Sequence, residues 1–247
     1  EYANEGKGET YGTVRALDPE TEITTLDGYR RRYAHYRSDP DLAELHRRHP
    51  MIHVWDDHEF ADDPTMGGAA NHPPEDGDSN DRIAAALQAY DEWLPTRLDG
   101  NRIYRVLDYG PLARIIGLDR QRRFLWPDPD DGDRYLGAAQ ADWLDEQLGR
   151  SPARWSVLAQ QTTFAPVSHD ARSGGWPTAD RSRALTAASK AETDVVVLTG
   201  DIHRFHAIDV VEDPEAWAAD ATAGLAAVEF AVGPIPSPGS GAPAVSR

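Results

Sequence analysis

Cysteine is absent from all 247 residues, which removes disulfide scaffolds, thiolate metal sites, iron–sulfur clusters and thiol nucleophiles from consideration. Long apolar runs are missing too. No stretch approaches the roughly 20 apolar residues that a bilayer-spanning helix needs, so no membrane span is expected. Basic residues are scarce relative to acidic ones: 25 Lys and Arg face 42 Asp and Glu, for a formal charge of -17. A surface of that sign repels nucleic-acid backbones and anionic lipid, so no stable nucleic-acid complex is expected. The first residues, Glu1-Tyr2-Ala3-Asn4-Glu5-Gly6, carry neither an initiator methionine nor the basic region of a signal peptide.

What is present fits one domain with a sizeable core, and no linker or internal repeat divides 1–247. Tyr29, Tyr33 and Tyr36 recur at helical spacing beside Arg30, Arg31, Arg32 and Arg37, and the arginines read as a charged helix face. Asp39-Pro40 opens a second helix, and 82–93 forms a third with Ile83, Leu87 and Tyr90 on its apolar side. Around Gly110-Pro111, residues 104–109 and 112–119 read as a hairpin. Further on, Gln140, Trp143, Leu144 and Leu148 share a helix face, 155–161 is a buried strand, 181–191 a helix, and 226–232 a last strand. The Asp- and Gly-rich 127–133 lacks the spacing of a calcium loop and reads as solvated.

Two stretches bring polar groups to the end of an apolar run. Met51-Ile52-His53-Val54-Trp55 reads as a strand that delivers Asp56-Asp57-His58-Glu59, and 194–199 reads as a strand running into Gly200-Asp201-Ile202-His203. In α/β sheets, ligands bind beyond the carboxyl ends of strands. Carboxylate oxygen and imidazole nitrogen are common metal ligands, so one site assembled from both ends is expected. Gly200 permits a sharp turn, and the spacing of Asp201 and His203 can send both side chains one way. Taken alone, Asp56-Asp57-His58-Glu59 is read equally well as helix capping and surface salt bridges.

In order along the chain stand Tyr-Arg-rich 26–36 with Asp39-Pro40-Asp41-Leu42, Trp55-Asp56-Asp57-His58-Glu59, and Ala89-Tyr90-Asp91-Glu92-Trp93-Leu94-Pro95 with Arg97. Leu118-Asp119, Leu136-Gly137, Trp143-Leu144, Gln160-Gln161 and Gly200-Asp201-Ile202-His203 follow. The series resembles the alkaline phosphatase D (PhoD-like) family of the calcineurin-like metallophosphoesterase superfamily. That resemblance implies a four-layer α/β/β/α sandwich of two mixed sheets flanked by helices. It also implies hydrolysis of phosphomonoesters and phosphodiesters by a metal-activated water, outside the cytoplasm, with Ca2+ and Fe3+ as cofactors. Asp57, Asp201 and His203 take the places of metal ligands, and His58 that of the substrate-contacting histidine. The expected partner is a small phosphoester, and the expected assembly a monomer.

Departures bear on this reading. Gln160 or Gln161 occupies a position where the superfamily often has a histidine ligand, and a structural amide is the simpler role. Leu118-Asp119-Arg120 lacks the family's threonine, and His206 matches no family ligand. The family's early cysteine ligand and Gly-Asp-Tyr-Ile-Tyr motif would precede Glu1, and the chain stops soon after its last strand where family members continue, so both ends are expected to be truncated, with weak iron binding and slow turnover as the consequence of the missing upstream ligands. Rival readings are a non-catalytic relative that keeps the fold, or a metallophosphodiesterase acting on nucleotides or lipids.

Overall fold

Capping residues set where the first helices start. The computed structural model describes residues 17–65, 67–96, 99–100, 102–121, 125, 135–165, 175–203, 205–212, 214–220 and 223–233. Thr25 accepts from Gly28 N at the start of α1 (Leu26–Arg37), and Asp39 from Asp41 N and Leu42 N at the start of α2 (Pro40–Arg48), where Pro40 occupies the first turn. Asp78 does the same through Asn80 N for α3 (Ser79–Trp93).

Two compact units divide the chain: Glu1–Ile103 with Phe124–Pro127, and Tyr104–Arg123 with Asp128–Arg247. In the first, α1 packs on α3 around a core of Tyr29, Trp55, Phe60, Ile83, Tyr90 and Ile103. Arg30 bridges the pair through Glu92 at 2.5 Å, which pulls the Glu92 pKa down to about 2. Arg31 pairs with Asp18, as an exposed charged face would. Arg32 does not follow them. It is buried and donates to the carbonyls of Asp18 and Pro19.

The second unit is built on a six-stranded mixed sheet in the order β1-β2-β3-β4-β6-β5. Its strands are β1 (Arg105–Tyr109), β2 (Ala113–Gly117), β3 (Trp155–Gln160), β4 (Asp194–Thr199), β5 (His206–Val211) and β6 (Leu225–Ala231). The expected hairpin forms β1 and β2, closed by Gly110 at φ 57, a left-handed turn that glycine adopts without steric cost. β2, β3, β4 and β6 run parallel, and the outer strands β1 and β5 are antiparallel to their neighbours. Between the strands lie α4 (Ala138–Gly149), α5 (Thr178–Lys190) and the short α6 (Pro214–Ala219).

Side-chain alternation gives the sheet two unlike faces. Ile116, Leu158, Val195, Val197 and Ala227 pack with Leu144 and Leu148 of α4 and Ala184, Leu185 and Ala188 of α5. On the other side Leu198 and Phe230 are each 42% exposed. An α/β class with helices on the sheet is thus as expected. Among the described residues the strands form one sheet, and the second sheet of a four-layer packing is not among them. The loop expected at 127–133 and Arg97 lie outside the described residues.

One expected strand is corrected. Residues 51–56 carry no regular structure, and among the described residues no strand of the sheet comes from the first unit. A strand requires a ladder partner, and here the apolar demand of the segment is met differently. Trp55 is fully buried against Tyr90 of α3 and Phe60, at ring-centroid distances of 5.2 and 5.5 Å.

The two faces make a simple test. Leu158→Ala should destabilise the chain by about 2–5 kcal/mol through the cavity it leaves. Leu198→Ala should stay within about 0.5 kcal/mol, as exposed positions do. Denaturant unfolding of both variants measures the contrast, and equal losses would show that the assigned faces are wrong.

Candidate metal centre

The segment after Trp55 bends at once. Phe60 N and Ala61 N donate to the Asp57 carbonyl at 2.8 and 3.0 Å, closing a turn that carries Asp57 and His58. Buried groups hold the turn from behind. Arg82, only 2% exposed, donates to Glu22 Oε1 at 2.6 Å, to the Asn71 carbonyl at 2.8 Å and to Tyr29 Oη at 3.1 Å. Tyr29 in turn donates to the Phe60 carbonyl, and Asn71 Oδ1 accepts from Asp62 N at 2.8 Å. Burial raises the Glu22 carboxyl above its ordinary pKa, against the lowering pull of Arg82 and Asn71.

Three side chains converge on the turn's outer side. His58 Nδ1 lies 3.1 Å from Asp56 Oδ2 and 3.4 Å from Asp57 Oδ1, and ligand atoms of Asp56, Asp57 and His58 all lie within 4.8 Å of one another. Asp57 is 6% exposed, and its other oxygen accepts from Asp63 N at 3.4 Å. Asp56 also accepts from His58 N at 2.8 Å, while its own N–H donates to Glu59 Oε2 at 2.8 Å. Burial alone would lower the His58 pKa, but Asp56 and then Asp57 push it up to about 12. For Asp56, burial acts upward and pairing with His58 outweighs it, so its pKa is lowered. Burial, with the Asp56 charge beside it, pushes Glu59 up to about 8.

Two carboxyl groups converging on one positive charge form a patch of negative potential, and their oxygens are hard donors. Both features fit a divalent or trivalent cation. A cavity of about 250 Å³ opens beside His58 and Glu59, walled by Tyr33, Arg37, His46 and His53.

Asp201 and His203 are placed where the sequence suggested, directly after β4. Both are half-buried and both have left-handed backbones, at φ 65 and 50, with Ile202 N donating to the Gly200 carbonyl at 2.8 Å. Non-glycine residues in that region cost of order 1–3 kcal/mol each and persist where their surroundings hold them. Among the described residues the second unit by itself assembles no group of three close His, Asp or Glu donors.

The glutamines at the end of β3 are engaged with protein. Gln160 Nε2 donates to Thr199 Oγ1 at 2.6 Å while its Oε1 accepts from Trp176 Nε1 at 3.0 Å, and Gln161 Nε2 donates to the Leu118 carbonyl at 2.8 Å. His206 packs with its Nε2 3.8 Å from Glu229. Two residues were missed by sequence reasoning. Asp56 is a motif residue whose pairing with His58 is visible only in three dimensions. Glu229 had a signal, a lone acid inside the apolar run Ala226-Ala227-Val228-Glu229-Phe230.

The Arg82 anchor is open to test. Arg82→Met leaves the half-buried Glu22 without its cation and removes the donor to Tyr29 and to the Asn71 carbonyl, so a loss of about 1–3 kcal/mol is expected in denaturant unfolding. A loss under about 1 kcal/mol, the scale of a surface pair, would show that the anchor is dispensable.

With this geometry in place, comparison with known proteins is specific. Residues 1–246 match the model of the PhoD-like phosphatase family. The chain is 35% identical over 263 aligned positions to alkaline phosphatase D of Bacillus subtilis (strain 168), covering 94% of this chain and 43% of that protein. A solved structure titled "Structure of PhoD" superposes with a TM-score of 0.77 at 31% identity, covering 98% of this chain and 50% of that one. The chain therefore spans about half the length of the relatives it matches. Its fold is of the metallophosphoesterase type, and the chain belongs to the PhoD-like phosphatase family.

Proposed function

We propose that this chain is the metal-binding part of a phosphoester hydrolase, with Asp57, Asp201 and His203 as ligands and His58 beside the phosphoryl group. The observation that carries the reading is the pairing of Asp57 with His58 on one buried turn, in a donor set suited to a hard cation. The name of the Bacillus subtilis relative supports a phosphatase, and phosphomonoesters and phosphodiesters are the proposed substrates. We further propose Ca2+ and Fe3+ as the cations, a location outside the cytoplasm, and a monomer in which both units serve one catalytic domain.

Bound cations would polarise the phosphoryl oxygens and lower the pKa of an attacking water. The chain's residues would do the rest. Asp57 would hold its position through the Phe60 and Ala61 hydrogen bonds, keeping a carboxylate oxygen fixed before substrate arrives. His58, its ring held by Asp56 Oδ2 3.1 Å from Nδ1, would donate a proton to the departing oxygen as the phosphorus–oxygen bond breaks. The cavity beside His58, with Tyr33 on its wall, offers room for the organic part of a small ester.

Metal content after dialysis, followed by hydrolysis of p-nitrophenyl phosphate and bis-p-nitrophenyl phosphate, tests the reading. The unmodified chain should retain calcium and hold iron only weakly, and Asp57→Ala and His203→Ala should lose the calcium. His58→Ala should keep its metal and lower kcat by about 10²–10⁴-fold, the range of a positioned acid. Retention of metal by Asp57→Ala would refute the ligand assignment, and an unmodified chain that holds none would favour a non-catalytic relative.

A further inference from the structure

We infer that Glu229 is a positioning residue for the Gly200-Asp201-Ile202-His203 turn, acting through Thr199 to prepare that turn for a cation. This rests on the proposed role of Asp201 and His203 as ligands.

Glu229 is an anomaly of pattern before it is anything else. It occupies a helix-facing position of β6, paired in register with Val197 of β4, and is completely buried where the neighbouring strands place apolar side chains. An unbonded carboxyl there would be costly, and three donors meet this one. Phe164 N at 2.8 Å and Thr199 Oγ1 at 2.6 Å reach Oε1, and Ala165 N at 2.7 Å reaches Oε2. An apolar residue would fill the position without needing any of them.

The source of those donors gives the group its meaning. Phe164 and Ala165 belong to the segment that leaves β3, and Thr199 is the last residue of β4, immediately before Gly200. Gln160 at the end of β3 donates to the same Thr199 hydroxyl and accepts from Trp176, so one buried chain of hydrogen bonds runs Trp176, Gln160, Thr199, Glu229. The Thr199 carbonyl accepts from Val232 N at 3.0 Å, so the residue is fixed through main chain and side chain alike. Directly beyond it stand the two left-handed residues, Asp201 and His203. Backbones in that region need firm surroundings, and the bonds to Thr199 supply them at the last residue before the turn. Partners that orient metal ligands are themselves part of a site's affinity.

The test uses the full chain in five forms: unmodified, Glu229→Gln, Thr199→Val, Asp201→Ala and Leu158→Ala. Each is titrated with Ca2+ alone by calorimetry, well below its unfolding midpoint, and amide exchange of the peptide spanning 199–204 is followed without metal. Glu229→Gln and Thr199→Val should weaken Ca2+ binding by about 10–100-fold, the range for residues behind the ligands, and speed exchange in that peptide. Leu158→Ala, destabilised through the core alone, should leave Ca2+ affinity unchanged. Should Glu229→Gln fail to fold, Thr199→Val decides, since it removes one hydroxyl and nearly preserves volume. Unchanged Ca2+ affinity and exchange in Thr199→Val overturn the inference while loss of binding in Asp201→Ala leaves the ligand reading standing. Binding that survives Asp201→Ala, or is absent from the unmodified chain, overturns the ligand reading itself.

Discussion

A buried guanidinium is the constraint on which the first unit rests. Arg82 sits at 2% exposure, and its contacts to Glu22, Asn71 and Tyr29 leave the charge neither unpaired nor unsolvated. Because Tyr29 continues to the Phe60 carbonyl and Asn71 to Asp62 N, the same group fixes both sides of the turn that carries Asp57. Apolar packing of Trp55 and Phe60 supplies the burial, but packing alone is non-directional. The hydrogen bonds decide which way the turn faces.

The second unit solves a similar problem with a buried carboxyl in place of the guanidinium. Its sheet brings the ends of β3, β4 and β6 side by side, and polar side chains at those ends must bond to one another because helices α4 and α5 exclude water above them. Gln160, Thr199 and Glu229 do so in one continuous path. In both units a satisfied buried polar network stands directly behind a turn bearing Asp and His. Such networks specify one arrangement more sharply than a wholly apolar core would.

Much of the fold was legible because periodicity survives folding wherever an element has one buried face. The helices around Tyr90 and Leu144, the hairpin at Gly110 and the strands at Leu158 and Val197 all follow that rule. The segment at 51–56 did not, because a short apolar run looks the same whether its partner is a neighbouring strand or a helix such as α3. Strand β5 escaped notice for a related reason: at the sheet's edge its alternation of His206, Ile208 and Val210 with Ala207 and Asp209 is weak. In the two turns, each within its own unit, the residue types and spacing of Asp57 with His58 and of Asp201 with His203 were plain. The carboxyl of Asp56 against His58, and that of Glu229 against Thr199, depend on distances that no linear pattern encodes.

The parallel centre of the sheet has a kinetic side. Ala159 pairs with Gly117 on one flank and with Leu198 on the other, so each contact joins segments about forty residues apart, and neither can form until the intervening chain has closed. During that interval the valines of β4 are exposed edges able to pair with other molecules. A lower concentration of chains awaiting that closure therefore favours folding, since aggregation is concentration-dependent and closure within one chain is not.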